Sequence, residues 1–144
     1  MINVISRHNI SEFPVVVPAL QRAFFKTDLG SFWDFEALFA HTLNHETFVF
    51  HQVESGYAGV IQFIHCPKGK ILHFFWSGKH PDNEVDVDYS EVDVFLTEVA
   101  KEQDCIAIQC EGRKGWKSVL LPLGYTEDSV VYIKEVKKDE LPDV

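Results

Sequence analysis

The chain opens on a period-two stretch. Ile2, Val4 and Ser6 alternate with Asn3, Ile5 and Arg7, which predicts a short first strand. From Ser11 the spacing changes: Phe13, Val17, Leu20 and Phe24 fall on one helical face. Pro14 suits a first turn, while Pro18 predicts a kink or a later helix start. Gly30 ends that pattern, and Ser31-x-x-Asp34 has the form of a capping box for a second helix carrying Phe35, Leu38, Phe39 and Thr42. Period two then returns. Runs from Thr47 to Val53 and from Tyr57 to Cys66 flank Glu54-Ser55-Gly56, a tight turn signal. Pro67-Lys68-Gly69 turns the chain again into Lys70 to Ser77, where Ile71, His73 and Phe75 alternate with Leu72, Phe74 and Trp76. Such short turns make the three runs an antiparallel meander.

Val92, Phe95, Leu96, Val99 and Ala100 trace an amphipathic helix, opened by a second capping signal, Ser90-x-x-Asp93. Cys105 to Gln109 reads as a short strand, Gly115 to Leu123 as a short helix stopped at Gly124, and Ser129 to Val136 as a last strand. Passage from Lys70–Ser77 through the long helix into Cys105–Gln109 predicts a right-handed crossover between parallel strands. The fold class is therefore α+β, with a mixed, mainly antiparallel central sheet flanked by helices. One domain over residues 1–136 and a charged tail over 137–144 are expected.

Charge narrows the function. The 144 residues carry 22 Asp+Glu against 13 Lys+Arg, a net charge of -9 that repels nucleic-acid phosphates and anionic membrane surfaces. No nucleic-acid or membrane partner is expected. Three cysteines are too few and odd in number for a disulfide framework, which points to a reducing, cytoplasmic setting. The first residues lack a signal-peptide pattern, and no apolar stretch approaches the ~20 residues that span a bilayer.

Few residues suggest chemistry. Asp82, Glu84, Asp86 and Asp93 mimic four positions of a calcium loop, but Val87 stands where its sharp turn requires Gly. Two readings of the acidic run remain: carboxylates that cap the long helix, or a docking face for a basic partner formed by Glu84, Asp86, Asp88 and Glu91. His41 and His45 share a helical face, yet no Glu follows His41 and no third ligand is evident, so no metal is expected. His65 and Cys66 point to opposite faces of a strand, as Cys105 and Cys110 do if theirs is regular. The Phe74-Phe75-Trp76 run, with Trp33 and Trp116, is expected in the core, with Trp116 anchoring the short helix.

The order of elements resembles the GNAT fold of the acyl-CoA N-acetyltransferase superfamily. The run Glu111-Gly-Arg-Lys-Gly-Trp-Lys-Ser-Val-Leu-Leu-Pro-Leu-Gly-Tyr125 resembles the Gly-Arg-x-Gly-Trp…Leu-Gly-Phe ending of small GNAT-like proteins encoded by bacteriophages, some virion-associated. The resemblance implies a CoA pyrophosphate held on backbone N–H groups of a Q/R-x-x-G-x-G/A loop between the fourth strand and the long helix. Here that stretch runs from Ser77 to Glu91, with one Gly, no Gly-x-Gly, and carboxylates at Asp82, Glu84, Asp86, Asp88 and Glu91. Those groups occupy the positive helix end themselves and repel a phosphate. The Tyr that such enzymes often use as a general acid corresponds to Leu120, and the Asn that orients the cofactor to the region Glu111-Gly-Arg113.

The expected function is a phage-type GNAT-like protein with a degenerate CoA site and no cofactor. It would act through contacts with a protein partner, as a virion-associated or host-takeover accessory in a bacterial host. The expectation admits a homo-oligomer and assigns no catalytic residue. The alternative is an active N-acetyltransferase with an unconventional CoA loop, taking acetyl-CoA and an amine. The fourth and fifth strands of the GNAT fold splay apart to admit the acyl chain, so Phe75, Ser77, Gly78 and Lys79 are then the cofactor-binding candidates.

Overall fold

The computed structural model describes residues 1–112 and 114–136. Five strands form one sheet in the order β1 (Ile2–Ile5), β2 (Phe48–Gln52), β3 (Tyr57–Cys66), β4 (Gly69–Lys79) and β5 (Cys105–Cys110). The first four pair antiparallel, and β5 runs parallel to β4. Four helices flank the sheet: α1 (Phe13–Gln21), α2 (Phe35–Leu43), α3 (Tyr89–Glu102) and the short α4 (Lys117–Leu120). This is an α+β fold, with α3 forming the crossover from β4 to β5. No described helix is long and apolar enough to cross a membrane.

Each sheet face carries its own core. On one, Ile5, Val49, Ala58, Val60 and Trp76 pack against Phe13, Val16 and Leu20 of α1 and Leu38 of α2. On the other, Phe50, Tyr57, Ile61, Leu72 and Phe74 meet Val92, Leu96 and Ala100 of α3. Helix α1 runs straight through Pro18, one turn after the Pro14 that stands in its first turn, and tightens into a 3-10 turn at Arg22–Phe25. The missing Pro18 amide would have bonded only the Pro14 carbonyl, so the loss falls near the helix start.

Two strand irregularities were invisible to the period-two reading. Val60 pairs with Trp76 but Ile61 pairs with Phe74, which leaves Phe75 as an extra, bulged residue in β4. Past the bulge the parity reverses: Leu72 and Phe74 face α3, whereas Trp76 faces α1. In β5, Lys70 pairs with Cys105 and Ile71 with Ala107, which bulges Ile106 outward to 62% exposure. Cys105 and Cys110 therefore pack against the same core, not on opposite faces.

Helix caps also moved. Asp34, not Ser31, is the N-cap of α2; its Oδ1 accepts a hydrogen bond from the Ala37 N–H at 2.7 Å. Asp88, not Ser90, caps α3. The expected last strand does not form: residues 125–136 have no regular secondary structure, and Tyr132 is 90% exposed. Alternation expresses a strand tendency, but a strand also needs pairing and burial of one face; this segment pairs with neither open edge, β1 or β5, and Val130 to Ile133 stay exposed. The tail expected over 137–144 lies outside the described residues.

Candidate functional site

The parallel ladder between β4 and β5 ends at Phe74 opposite Cys110, with a last bond from the Glu111 N–H to the Phe74 carbonyl at 2.9 Å. Strand β4 continues past the bulged Phe75, and Trp76 to Lys79 stay paired to β3 after β5 has stopped. A wedge of about 190 Å³ opens there. Phe75, Ser77, Gly78 and Lys79 form one wall of it, so all four cofactor-binding candidates come together. Glu111 and Gly112 leave β5 on the other side, and half-buried Val87 and Tyr89 with exposed Arg22 and Lys26 complete the lining.

Glycine at position 78 answers to packing first. A Cβ there would lie 2.0 Å from the Ala19 carbonyl oxygen, so only Gly lets the end of α1 rest on β4. Beside it the Trp76 indole N–H donates to the Leu20 carbonyl at 2.9 Å. Together these contacts fix the end of α1, and with it Arg22 and Lys26. The bulge at Phe75 is what turns Trp76 toward that helix.

The wedge floor is aromatic. Tyr57 lies under β4 with its ring 5.8 Å from Tyr89 and 6.3 Å from Trp116, which meet each other edge-to-face at 5.5 Å. Gly112 makes room for the indole, because a Cβ there would lie 2.7 Å from Trp116 Cδ1. Trp116 is half-buried and packs on these rings, so it anchors the α4 segment without entering the deep core. The Tyr57 hydroxyl faces Ser77 but falls short of a hydrogen bond with it. Among the described residues it is the buried side-chain polar atom left without a partner. Burial pushes its pKa far above the ordinary phenol value.

A polar relay reaches the wedge through Glu111. The Gln62 amide lies 3.0 Å from His73 Nδ1, and His73 Nε2 lies 3.2 Å from Glu111 Oε2. With Gln62 donating to Nδ1, the proton sits on Nε2 and is donated to the carboxylate. The His73 ring stacks on Phe75 at 5.2 Å, and burial lowers its pKa against the opposing pull of Glu111. His73 therefore stays neutral near pH 7. Sequence reading passed over this relay because Gln62, His73 and Glu111 lie on three strands' worth of chain and share no motif.

At the start of α3 two backbone N–H groups already have side-chain partners. Asp88 Oδ1 accepts from the Glu91 N–H at 3.1 Å, and the Asp88 N–H donates to Gln52 Oε1 at 3.1 Å. Buried Gln52 also donates to the Asp88 carbonyl and to Glu91 Oε1, each at 3.0 Å. Of the four docking candidates, Asp88 and Glu91 thus have internal partners. Glu84 and Asp86 are exposed and unpaired among the described residues.

Elsewhere, His41 Nδ1 pairs with Glu46 at 2.7 Å, and His45 lies against His8 with ring centroids 6.1 Å apart. No three His, Cys, Asp or Glu side chains converge as metal ligands among the described residues. Burial pushes the Cys110 thiol up to about 11, and the Tyr125 hydroxyl beside it is raised as well. Neither is a ready nucleophile.

No protein-family model matches the sequence, and no curated protein is significantly similar to it. Solved structures match closely in shape. An aminoglycoside acetyltransferase from an uncultured soil metagenomic sample, in complex with sisomicin, is 13% identical over 96% of each chain, with a TM-score of 0.72. A ribosomal-protein-alanine N-acetyltransferase from Brucella melitensis is 8% identical over 94% of this chain and 99% of its own, TM-score 0.67. A GNAT family acetyltransferase from Staphylococcus aureus is 10% identical over 94% and 98%, TM-score 0.64. The fold is that of the GNAT acetyltransferases. At these identities the likeness concerns the fold alone.

Proposed function

We propose that this protein is a GNAT-fold binding protein whose CoA cradle is closed, and that it works through contacts with a protein partner. The observation that carries this reading is the acidic, partly filled start of α3. The Glu91 N–H of its first turn goes to Asp88, the N–H of the capping Asp88 goes to Gln52, and the carboxylates of Asp88 and Glu91 stand where a pyrophosphate would need positive potential. Exposed Glu84 and Asp86 extend that acidic surface toward a basic partner. A phage-type role, virion-associated or in host takeover, rests on the resemblance of the run Glu111 to Tyr125.

Titration with acetyl-CoA and CoA, followed by thermal shift and calorimetry, tests the closed cradle. No saturable stabilisation is expected at millimolar ligand. A micromolar site would stabilise the native state by about 4 kcal/mol under those conditions. Such a shift would sink the reading.

One observation favours acetyl transfer from acetyl-CoA to an amine. Glu111 brings a carboxylate, backed by His73, to the mouth of the β4–β5 wedge. There it is placed to take the proton released as an amine attacks the thioester carbon and the thiolate departs. In this reading Glu111→Gln abolishes acetyl transfer while acetyl-CoA still binds.

A further inference from the structure

We propose that the wedge between β4 and β5 binds a small aromatic anion, a planar ring bearing a carboxylate or phosphate group. The inference goes beyond the closed cradle and stands whether or not acetyl-CoA binds. Three independent features of the wedge define the ligand's head, body and depth.

The head follows from charge. Arg22, Lys26 and Lys79 line the opening, and none of them makes an ion pair with a carboxylate whose side chain is described. Among the described side chains Glu111 is the carboxylate on the lining, and neutral His73 donates a hydrogen bond to it, so three cations face one carboxylate. In a chain with a net charge of -9, three cations against one described carboxylate make a local positive opening. A guanidinium with two ammonium groups suits an anion able to accept several hydrogen bonds at once.

The body follows from the walls. Phe75, Tyr89 and Trp116 offer ring faces and edges beneath that opening, so a flat apolar group is retained by stacking. The depth follows from Tyr57. Its hydroxyl is buried and without a partner at the floor of the same wedge, and a ligand oxygen reaching it supplies the missing bond. At about 190 Å³ the space lies below the ~300–1,000 Å³ of pockets for drug-sized ligands, which selects a one-ring compound.

Calorimetric titration of the full chain with phenyl phosphate, phenylacetate, 4-hydroxyphenylacetate, inorganic phosphate and benzylamine tests the proposal. Saturable binding is expected of phenyl phosphate or phenylacetate, with inorganic phosphate weaker and benzylamine silent. The pair R22Q/K26Q should weaken binding about tenfold or more through loss of charge-assisted hydrogen bonds. Tyr57→Phe should weaken 4-hydroxyphenylacetate, whose far hydroxyl can meet the floor, more than phenylacetate, whose far ring edge carries no oxygen, while leaving the melting temperature of the free protein unchanged or higher, because it removes an unsatisfied buried hydroxyl. The proposal falls if no aromatic anion saturates, if benzylamine binds as tightly, or if R22Q/K26Q binds as the parent does. Inorganic phosphate equal to phenyl phosphate would remove the aromatic part of the assignment. If CoA binds and displaces phenyl phosphate, the closed cradle is lost but the anion site stands.

Discussion

His73 shows how one residue takes its character from neighbours distant in the chain. Burial lowers its pKa below the usual 6.5, and the Glu111 carboxylate only partly restores it. The unfolded chain therefore binds a proton that the folded one refuses as pH falls below about 6.5, and stability must drop there. His51, also lowered by burial, adds to the same slope. Urea midpoints measured between about pH 7 and pH 5, above the range where most carboxylates titrate, should fall with pH, and His73→Gln should flatten part of that fall. An unchanged slope in the variant would place the pH response elsewhere. Nothing around position 73 in the sequence announces this. A histidine in an alternating strand is legible as a strand residue, but its charge state depends on Gln62 and Glu111, 11 and 38 residues away.

Among elements, those built from local signals were legible and those needing a distant partner were not. The β2–β3–β4 meander follows from two short turns, and α3 from its apolar spacing. Caps were misplaced by two or three residues because several Ser and Asp side chains compete at each helix start, and tertiary contacts choose among them. Gln52, 36 residues from Asp88, settles the choice for α3. The segment expected as a last strand is the sharpest departure. Val130, Val131, Tyr132 and Ile133 are each more than half exposed, so they bury little on folding. Val130→Lys and Tyr132→Lys should each change unfolding free energy by no more than about 0.5 kcal/mol, as surface substitutions do. Chemical denaturation checks this, and a loss of several times that size would show that the segment packs as a strand in solution.

For the molecule as a whole, charge and chain pattern were readable at once. A net charge of -9 on a chain of 144 residues implies self-repulsion in the folded state that salt relieves. The melting temperature should rise as ionic strength goes from about 0.01 M to 0.15 M, over which the Debye length falls from ~30 to ~8 Å. A flat or falling response would mean that specific ion pairs outweigh net repulsion.

Spacing along the chain determined the first five strands, the helices that pack on them and the meander, because each rests on one or two turns of chain; their order resembles the GNAT fold, and the shape comparison bears that out. The sequence also marked Phe75 to Lys79 as the stretch to inspect. Tertiary structure alone decided what surrounds that stretch. The bulge at Phe75 turns Trp76 onto α1, Gly78 admits the Ala19 carbonyl, and those contacts place Arg22 and Lys26 above the wedge. The unpartnered Tyr57 hydroxyl and the His73–Glu111 pair exist only once three strands lie side by side. Strand register and hydrogen-bond satisfaction are properties of neighbours in space, and a periodic pattern read along one chain carries neither.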